Sequence, residues 1–302
     1  MPRAVERLTE IRATRPEAVA EALAGRRRRP LLGEAGTLFL LAADHPARGV
    51  VKVGEIHMAM ADRGDFLERI VAALERPGVD GLMASPDIVD DLALLGALDE
   101  KVVVGSMNRG GLSGAVFELD DRFTGYTAQA IADANLDGGK MLLRIADEDR
   151  DTLPTIAACA DAVDALAARG LMAMIEPFAS RRVAGEVKNV LDPDPTIRAI
   201  GVSSALGSSS AYTWLKLPVV PEMERVMAAT TLPTLLLGGD PGNDAETTFE
   251  GWRRAMKIPQ VRGLVAGRAL LYPPGGDVAA AVDSAAEIVH GGVIQRRETE
   301  VR

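Results

Sequence analysis

Cysteine, histidine, lysine and aromatic residues are all scarce in this chain of 302 residues. It has one cysteine and three histidines, and aromatics make up 4%. The lone thiol, Cys159, cannot close an intrachain disulfide, which suits a reducing compartment; in its Ala-rich segment it reads as a small packing residue on a helix. With so few aromatics, the core must be built from Ala, Val, Leu, Ile and Met, within an ordinary apolar content of 47%. No apolar stretch reaches the roughly 18 uninterrupted residues of a membrane span. The amino-terminal segment MPRAVERLTEIRATRPEAVAEAL carries charges throughout and has no hydrophobic signal core, so a cytoplasmic location without membrane contact is expected. Positive charge is also in deficit. The net charge of −9 argues against nucleic acid as a partner. The exception is the run Arg26–Arg29, which reads as a solvated helix end.

What the chain does contain is alternation. Strand-like apolar runs fall at 37–44, 79–85, 101–106, 139–145, 171–177, 212–218, 233–239 and 261–267. Helical signals lie between most of them, such as DRGDFLERIVAALERPG with Asp62 as N-cap and Pro77-Gly78 as its stop. Strands alternating with helices imply parallel strands joined by crossovers. Eight such units, with strands apolar on both faces, predict an α/β fold that is a single (β/α)8 barrel. An open doubly wound sheet would want a Gly-rich turn after the first strand, and ADHPARG is not one. The expected organisation is an N-terminal helical extension over 1–35, the barrel over 36–292 and a C-terminal tail over 293–302.

In such a barrel the carboxyl ends of the strands carry the chemistry. The first strand ends in Asp44-His45, the third in Ser106 and Asn108. Lys140 and Arg144 on the fourth strand are four apart, so they share a face. Glu176 shares a face with Met172 and Met174 on the fifth, and Lys216 shares one with Tyr212 and Trp214 on the sixth. Six of the 34 basic residues are lysines, so two of them facing inward is a conspicuous use of a rare residue. A buried amine beside another cation loses its proton readily and attacks carbonyls to form a Schiff base. Lys216 is therefore the expected covalent catalyst, with Asp44, Lys140 and Glu176 as acids and bases. The plainer reading, a lysine paired with a carboxylate as filler, loses weight once three such groups converge. Gly238, Gly239, Gly267 and Arg268 follow the seventh and eighth strands, where barrels commonly hold phosphate, and RALLYPPG fits the short helix found there. Arg144, Ser106 and His45 complete the expected substrate wall.

The strand-end motifs LLAADHPARG, GKMLLRI, AMIEPF, WLKLP, LLLGGD and GLVAGRALL resemble those of the class I aldolases grouped with deoxyribose-phosphate, archaeal-type fructose-bisphosphate and tagatose-bisphosphate aldolases. The resemblance covers residues 37 to about 290 and is nearest the tagatose-bisphosphate and sulfofructose-phosphate type. It implies an imine on Lys216, with Lys140 and Glu176 assisting proton transfer or holding substrate hydroxyls. It further implies Asp44 as the first-strand carboxylate, and phosphate at Gly267 and Arg268. The seventh strand lacks the second lysine of deoxyribose-phosphate aldolases, which disfavours that substrate. ADHPARG and the long loop after the third strand are similar to an actinobacterial branch linked to inositol breakdown. That branch implies cleavage of 5-dehydro-2-deoxy-gluconate 6-phosphate to dihydroxyacetone phosphate and malonate semialdehyde. A small phosphorylated substrate, no cofactor, no metal and a homo-oligomer are expected. Two other readings stand beside this one. A metal-dependent barrel enzyme would draw on His45, His57, Asp44 and Glu55, and a non-catalytic barrel would only bind sugar phosphates.

Overall fold

The computed structural model describes residues 2–239 and 245–291. Its strands are β1 (Leu38–Ala43), β2 (Gly81–Ala84), β3 (Val102–Ser106), β4 (Gly138–Ile145), β5 (Met172–Val183), β6 (Glu186–Asn189), β7 (Thr213–Leu217), β8 (Thr234–Leu237) and β9 (Val261–Ala266). Eight of them run parallel in the order β4-β3-β2-β1-β9-β8-β7-β5, and pairing of β4 with β5 closes the ring. The fold is thus a single (β/α)8 barrel. Its eight strands are the eight apolar runs, because each is covered on both sides and tolerates little polarity.

The two faces separate cleanly in the packing. Leu38, Leu40, Met83, Val104, Met174 and Trp214 belong to one cluster, which fills the barrel interior. The alternate residues, such as Phe39, Leu41, Val103, Met141 and Leu215, join the outer cluster beneath the helices. Period-two alternation therefore fixes which residues can reach the mouth. The strand of the sixth run begins at Thr213, so Tyr212 stands outside it and is exposed.

Three features depart from the pattern read in the sequence. β5 continues past the barrel and folds back on β6 as an antiparallel hairpin, turning at Ala184 and Gly185, both at positive φ. A helix over Pro193–Ser204 follows; its start is set by Asp192 in an extended conformation and Pro193 in the first turn. The amino-terminal segment forms two helices, Pro2–Thr14 and Ala18–Gly25, tied to the outer shell by buried Leu8 and Leu23 and by Arg12 to Asp91 at 2.5 Å.

The Arg26–Arg29 run is not a solvated helix end. Arg26 is buried, with Nη2 3.2 Å from Asp137 Oδ2 and Nη1 donating to the Lys101 carbonyl at 2.6 Å. Arg27 pairs with Asp99 at 2.6 Å, Arg28 with Asp137 at 2.7 Å, and Arg29 with Asp80. Asp80 and Asp137 precede β2 and β4, and accept from Phe39 N at 2.7 Å and Val103 N at 2.8 Å. The arginines thus clamp carboxylates that join neighbouring strands at the amino-terminal end of the barrel, opposite the mouth. His290 sits at that end too, its ring bonded to Thr37 and to the Gly78 carbonyl. Among the described residues no helix is long and apolar enough to cross a membrane. The expected tail over 293–302 lies outside the described residues.

Candidate active site

Toward the carboxyl ends of the strands the inward residues change from apolar to charged. Along β4 the sequence is Gly138, Lys140, Leu142, Arg144; along β5 it is Met172, Met174, Glu176, Phe178. Registration sets Lys140 beside Met174 and Leu142 beside Glu176, so the lysine reaches up from one level below the glutamate. Lys216 extends from β7 on the other flank of Glu176. The result is one carboxylate bridging two amines: Glu176 Oε2 is 2.5 Å from Lys140 Nζ, and Oε1 is 2.7 Å from Lys216 Nζ. All three side chains are buried.

Asp44 joins them from the end of β1. Its Oδ2 accepts from Ser106 Oγ at 2.6 Å and lies 3.5 Å from Lys140 Nζ, and Arg109 closes an ion pair on the same oxygen. Four of the expected residues, Asp44, Lys140, Glu176 and Lys216, thus form one connected group. They line a cavity of about 360 Å³ that also takes in His45, Gly238, Gly239, Gly267 and Arg268. Ser106 acts one step back, by orienting Asp44.

The electrostatics follow from burial set against this pairing. Burial opposes ionisation of Glu176, but Lys140 and Lys216 outweigh it and hold the carboxyl well below its usual range. Burial likewise works against the Asp44 anion, and Arg109 and Lys140 overcome it, so Asp44 is also ionised. Lys140 goes the other way: burial first, then Arg109, lower it to about 8 despite Asp44 and Glu176. An amine at about 8 can both give and take a proton near neutral pH. His45 is lowered to about 3 by burial and by the nearby Arg268 and Lys216, so its imidazole is neutral.

The phosphate-side residues share the opposite wall. Gly267 brings β9 against β1, where a Cβ would lie 2.1 Å from the Ala42 carbonyl oxygen and 2.9 Å from the His45 ring. Gly239 adopts φ of +67°, a conformation that L side chains rarely take. Arg268 opens a short helix, Arg268–Leu271. Asp240, the next residue after the glycine pair, lies outside the described residues.

Arg144 also lines the cavity, but its Nη1 lies 2.5 Å from Glu118 Oε1, its Nη2 donates to the Glu118 carbonyl, and Asp121 sits 3.9 Å away. Arg48, Arg109 and Glu118 belong to this site and were not singled out in the sequence. They sit on ADHPARG and on the long loop after β3, and loops give no periodic signal of where a side chain will point. The signal present was the charge in ADHPARG and in the glycine-containing loop after β3. His57 and Glu55, the outer members of the metal reading, are exposed on the surface. Among the described residues no three His, Cys, Asp or Glu side chains group as a metal site would require. Cys159 is buried on the helix Thr152–Ala167, with its thiol pushed up by burial to about 12.

The molecule is a closed barrel with a buried Lys–Glu–Lys bridge at its carboxyl mouth. The chain belongs to the Cgl0159-like family, which it matches over residues 36–286. The crystal structure of Cgl0159 from Corynebacterium glutamicum (Brevibacterium flavum) is 54% identical, with a TM-score of 0.94 over 97% of this chain and 99% of the other. More distant structures share the fold. One is an archaeal fructose-1,6-bisphosphate aldolase whose catalytic Lys is covalently bound to the carbinolamine intermediate; it is 16% identical, with a TM-score of 0.61 over 90% of this chain and 100% of the other. Another is a fructose-bisphosphate aldolase from Slackia heliotrinireducens, 15% identical, with a TM-score of 0.63 over 96% and 90%. No curated protein matches.

Proposed function

We propose that this protein is a class I aldolase, a lyase that cleaves a phosphorylated keto-sugar or keto-sugar acid through a Schiff base on Lys216. The observation that carries the reading is Glu176 bridging the amines of Lys140 and Lys216 in the wall of the cavity. A solvated lysine would gain nothing from this arrangement. A lysine that must attack a carbonyl needs a base to take its proton and an acid to expel water; Glu176 touches Lys216, and Lys140 lies on the other oxygen of that carboxylate. The shared fold with Schiff-base aldolases agrees with the reading.

In this mechanism the Lys216 amine adds to the substrate ketone, gives up a proton and yields a carbinolamine. Lys140, in its ammonium form, supplies the proton that releases water, with Glu176 relaying charge between the two amines. The resulting iminium is the electron sink. A base takes the proton of the hydroxyl two carbons from the imine, the carbon–carbon bond between them breaks, and its electron pair enters the iminium to form an enamine. Asp44, ionised and 3.5 Å from Lys140, is the group we assign to that deprotonation. The aldehyde departs, the enamine is protonated at carbon, and water returns the ketone and free Lys216. Gly238, Gly239, Gly267 and Arg268 hold the phosphate.

As substrate we favour 5-dehydro-2-deoxy-gluconate 6-phosphate, giving dihydroxyacetone phosphate and malonate semialdehyde. The support is the likeness of ADHPARG and the loop after β3 to the inositol-breakdown branch. The test is release of dihydroxyacetone phosphate from that compound, read through a coupled reductase, with and without a chelator. Release that the chelator leaves unchanged is expected. No release from it or from fructose 1,6-bisphosphate would refute the aldolase reading, and release that the chelator abolishes would refute the Schiff-base route.

A further inference from the structure

The cavity wall carries far more positive charge than the proposed chemistry uses. Seven of its lining side chains are Arg or Lys and three are Asp or Glu, in a chain whose net charge is −9. Lys140 and Lys216 belong to the imine chemistry, Arg109 is committed to Asp44, and Arg268 stands at the Gly238–Gly239 end. Lys188, from the hairpin, pairs with Glu186 at 2.5 Å. That leaves Arg48 and Arg144 on the far wall. In the ring of strands β4 is diametrically opposite β9, so Arg144 faces Gly267 and Arg268 across the mouth. It lies two residues beyond Leu142, which pairs with Glu176, and so stands about 7 Å above the carboxylate level.

The two arginines are not equivalent. Arg144 is buried with both Nη atoms on Glu118, which makes it a support. Arg48 keeps 15% of its side chain exposed. Its Nε is anchored on the Gly111 carbonyl at 3.1 Å, while its Nη2 is 3.3 Å from Glu118 Oε1, a loose contact for a charge pair. Ser113 donates its backbone N–H to the Arg48 carbonyl at 3.0 Å, which brings its hydroxyl to the same wall. Glu118 serves both arginines and Asp121 stands 3.9 Å from Arg144, yet crowding with Arg109 still shows in the guanidinium: burial, then Arg144 and Arg109, lower Arg48 to about 10 despite Asp121 and Glu118.

We propose that Arg48, backed by Arg144 and Glu118, anchors a second anion subsite across the mouth from the glycine pair. The substrate then carries an anion at both ends: phosphate at one, and a carboxylate or a second phosphate at the other. This rests on the aldolase reading for the identity of the reacting centre, and it deepens that reading by naming the class of substrate. A planar guanidinium with its Nε already fixed presents its remaining N–H groups in the fork that carboxylates and phosphates accept.

The test uses three unreactive six-carbon probes in calorimetry: a hexitol 6-phosphate with a neutral far end, 6-phosphogluconate with a carboxylate there, and a hexitol 1,6-bisphosphate. One or both two-ended probes should bind about 10- to 100-fold more tightly than the one-ended probe, the range of a charged hydrogen-bonded contact. Which of the two gains identifies the far group. Arg48→Gln should erase the gain while leaving the hexitol 6-phosphate affinity unchanged, which also reports an intact site; Arg48→Lys should restore part of it. Equal binding of all three probes overturns the subsite, and so does an Arg48→Gln loss shared by all of them. Borohydride trapping with dihydroxyacetone phosphate, which has no far anion, separates the two claims. An adduct without end preference overturns the subsite and leaves the aldolase. An Arg48-dependent preference without an adduct upholds the subsite and overturns the aldolase.

Discussion

Replacing Glu176 by Gln removes the one negative charge between two buried amines while keeping the shape of the side chain. In the native site its oxygens stand 2.5 and 2.7 Å from Lys140 and Lys216. Breaking a buried pair in this way costs about 3–5 kcal/mol. Two ammonium ions left facing one amide add repulsion on the order of 3 kcal/mol at an effective dielectric of about 20. The protein can relieve much of this by releasing a proton, and Lys140 is poised to do so at about 8. Without Glu176, which raises it, Lys140 falls further. The direction of the pH dependence follows. An unfolded lysine keeps its proton to its ordinary value near 10.5, so between the lowered folded value and 10.5 the unfolded state binds more protons, and stability rises with pH. In the variant that window opens below 8. Urea unfolding should therefore show a deficit of about 4 kcal/mol at pH 6 that shrinks by about half at pH 9, where Lys140 is neutral in both proteins. A deficit equal at both pH values, or larger at pH 9, would refute the account of the bridge.

Three further outcomes are expected. Arg268→Ala should raise KM for a phosphorylated substrate by about 10-fold or more and leave an unphosphorylated analogue nearly unaffected, because the lost contact is remote from the reacting carbon; equal effects on both in steady-state kinetics would count against phosphate at that end. Arg26→Met should destabilise the barrel by about 3 kcal/mol, since it strips a buried partner from Asp137, and denaturant titration should show that loss while kcat of the folded protein is unchanged; a loss of kcat would mean that the clamp communicates with the mouth. Lys140→Arg should lower kcat less than Lys216→Arg, because it keeps a cation beside Glu176 while losing an acid that titrates near 8; equal losses in single-turnover assays would place both lysines in one covalent role.

Strands were legible in the sequence because both their faces are buried, so an unbroken apolar run is itself the signal. The same logic hid the hairpin. SRRVAGEVKN, residues 180–189, lies beyond the parallel strands at the cavity rim, has little apolar content, and reads as a charged loop between elements. The helix Pro193–Ser204 was obscured by Pro193, Pro195 and Gly201, each a breaker by propensity although both prolines stand in the first turn. Inward parity found Lys140, Glu176 and Lys216, since a strand fixes side-chain direction every second residue. It could not find Arg48, Arg109 or Glu118, which approach from loops whose course depends on tertiary contacts. The Arg26–Arg29 run was misread because its partners, Asp80, Asp99 and Asp137, are scattered along the chain and meet only when the strands come together.

The central claim is that Lys216 forms the imine, and borohydride trapping with mass spectrometry tests it most directly. The folded protein is mixed with 5-dehydro-2-deoxy-gluconate 6-phosphate or dihydroxyacetone phosphate, reduced, digested and mapped. The account predicts loss of activity together with the mass of the reduced adduct on the peptide that holds Lys216, and no adduct in Lys216→Arg. An adduct on Lys140, or none on either lysine while the substrate is still turned over, would contradict it.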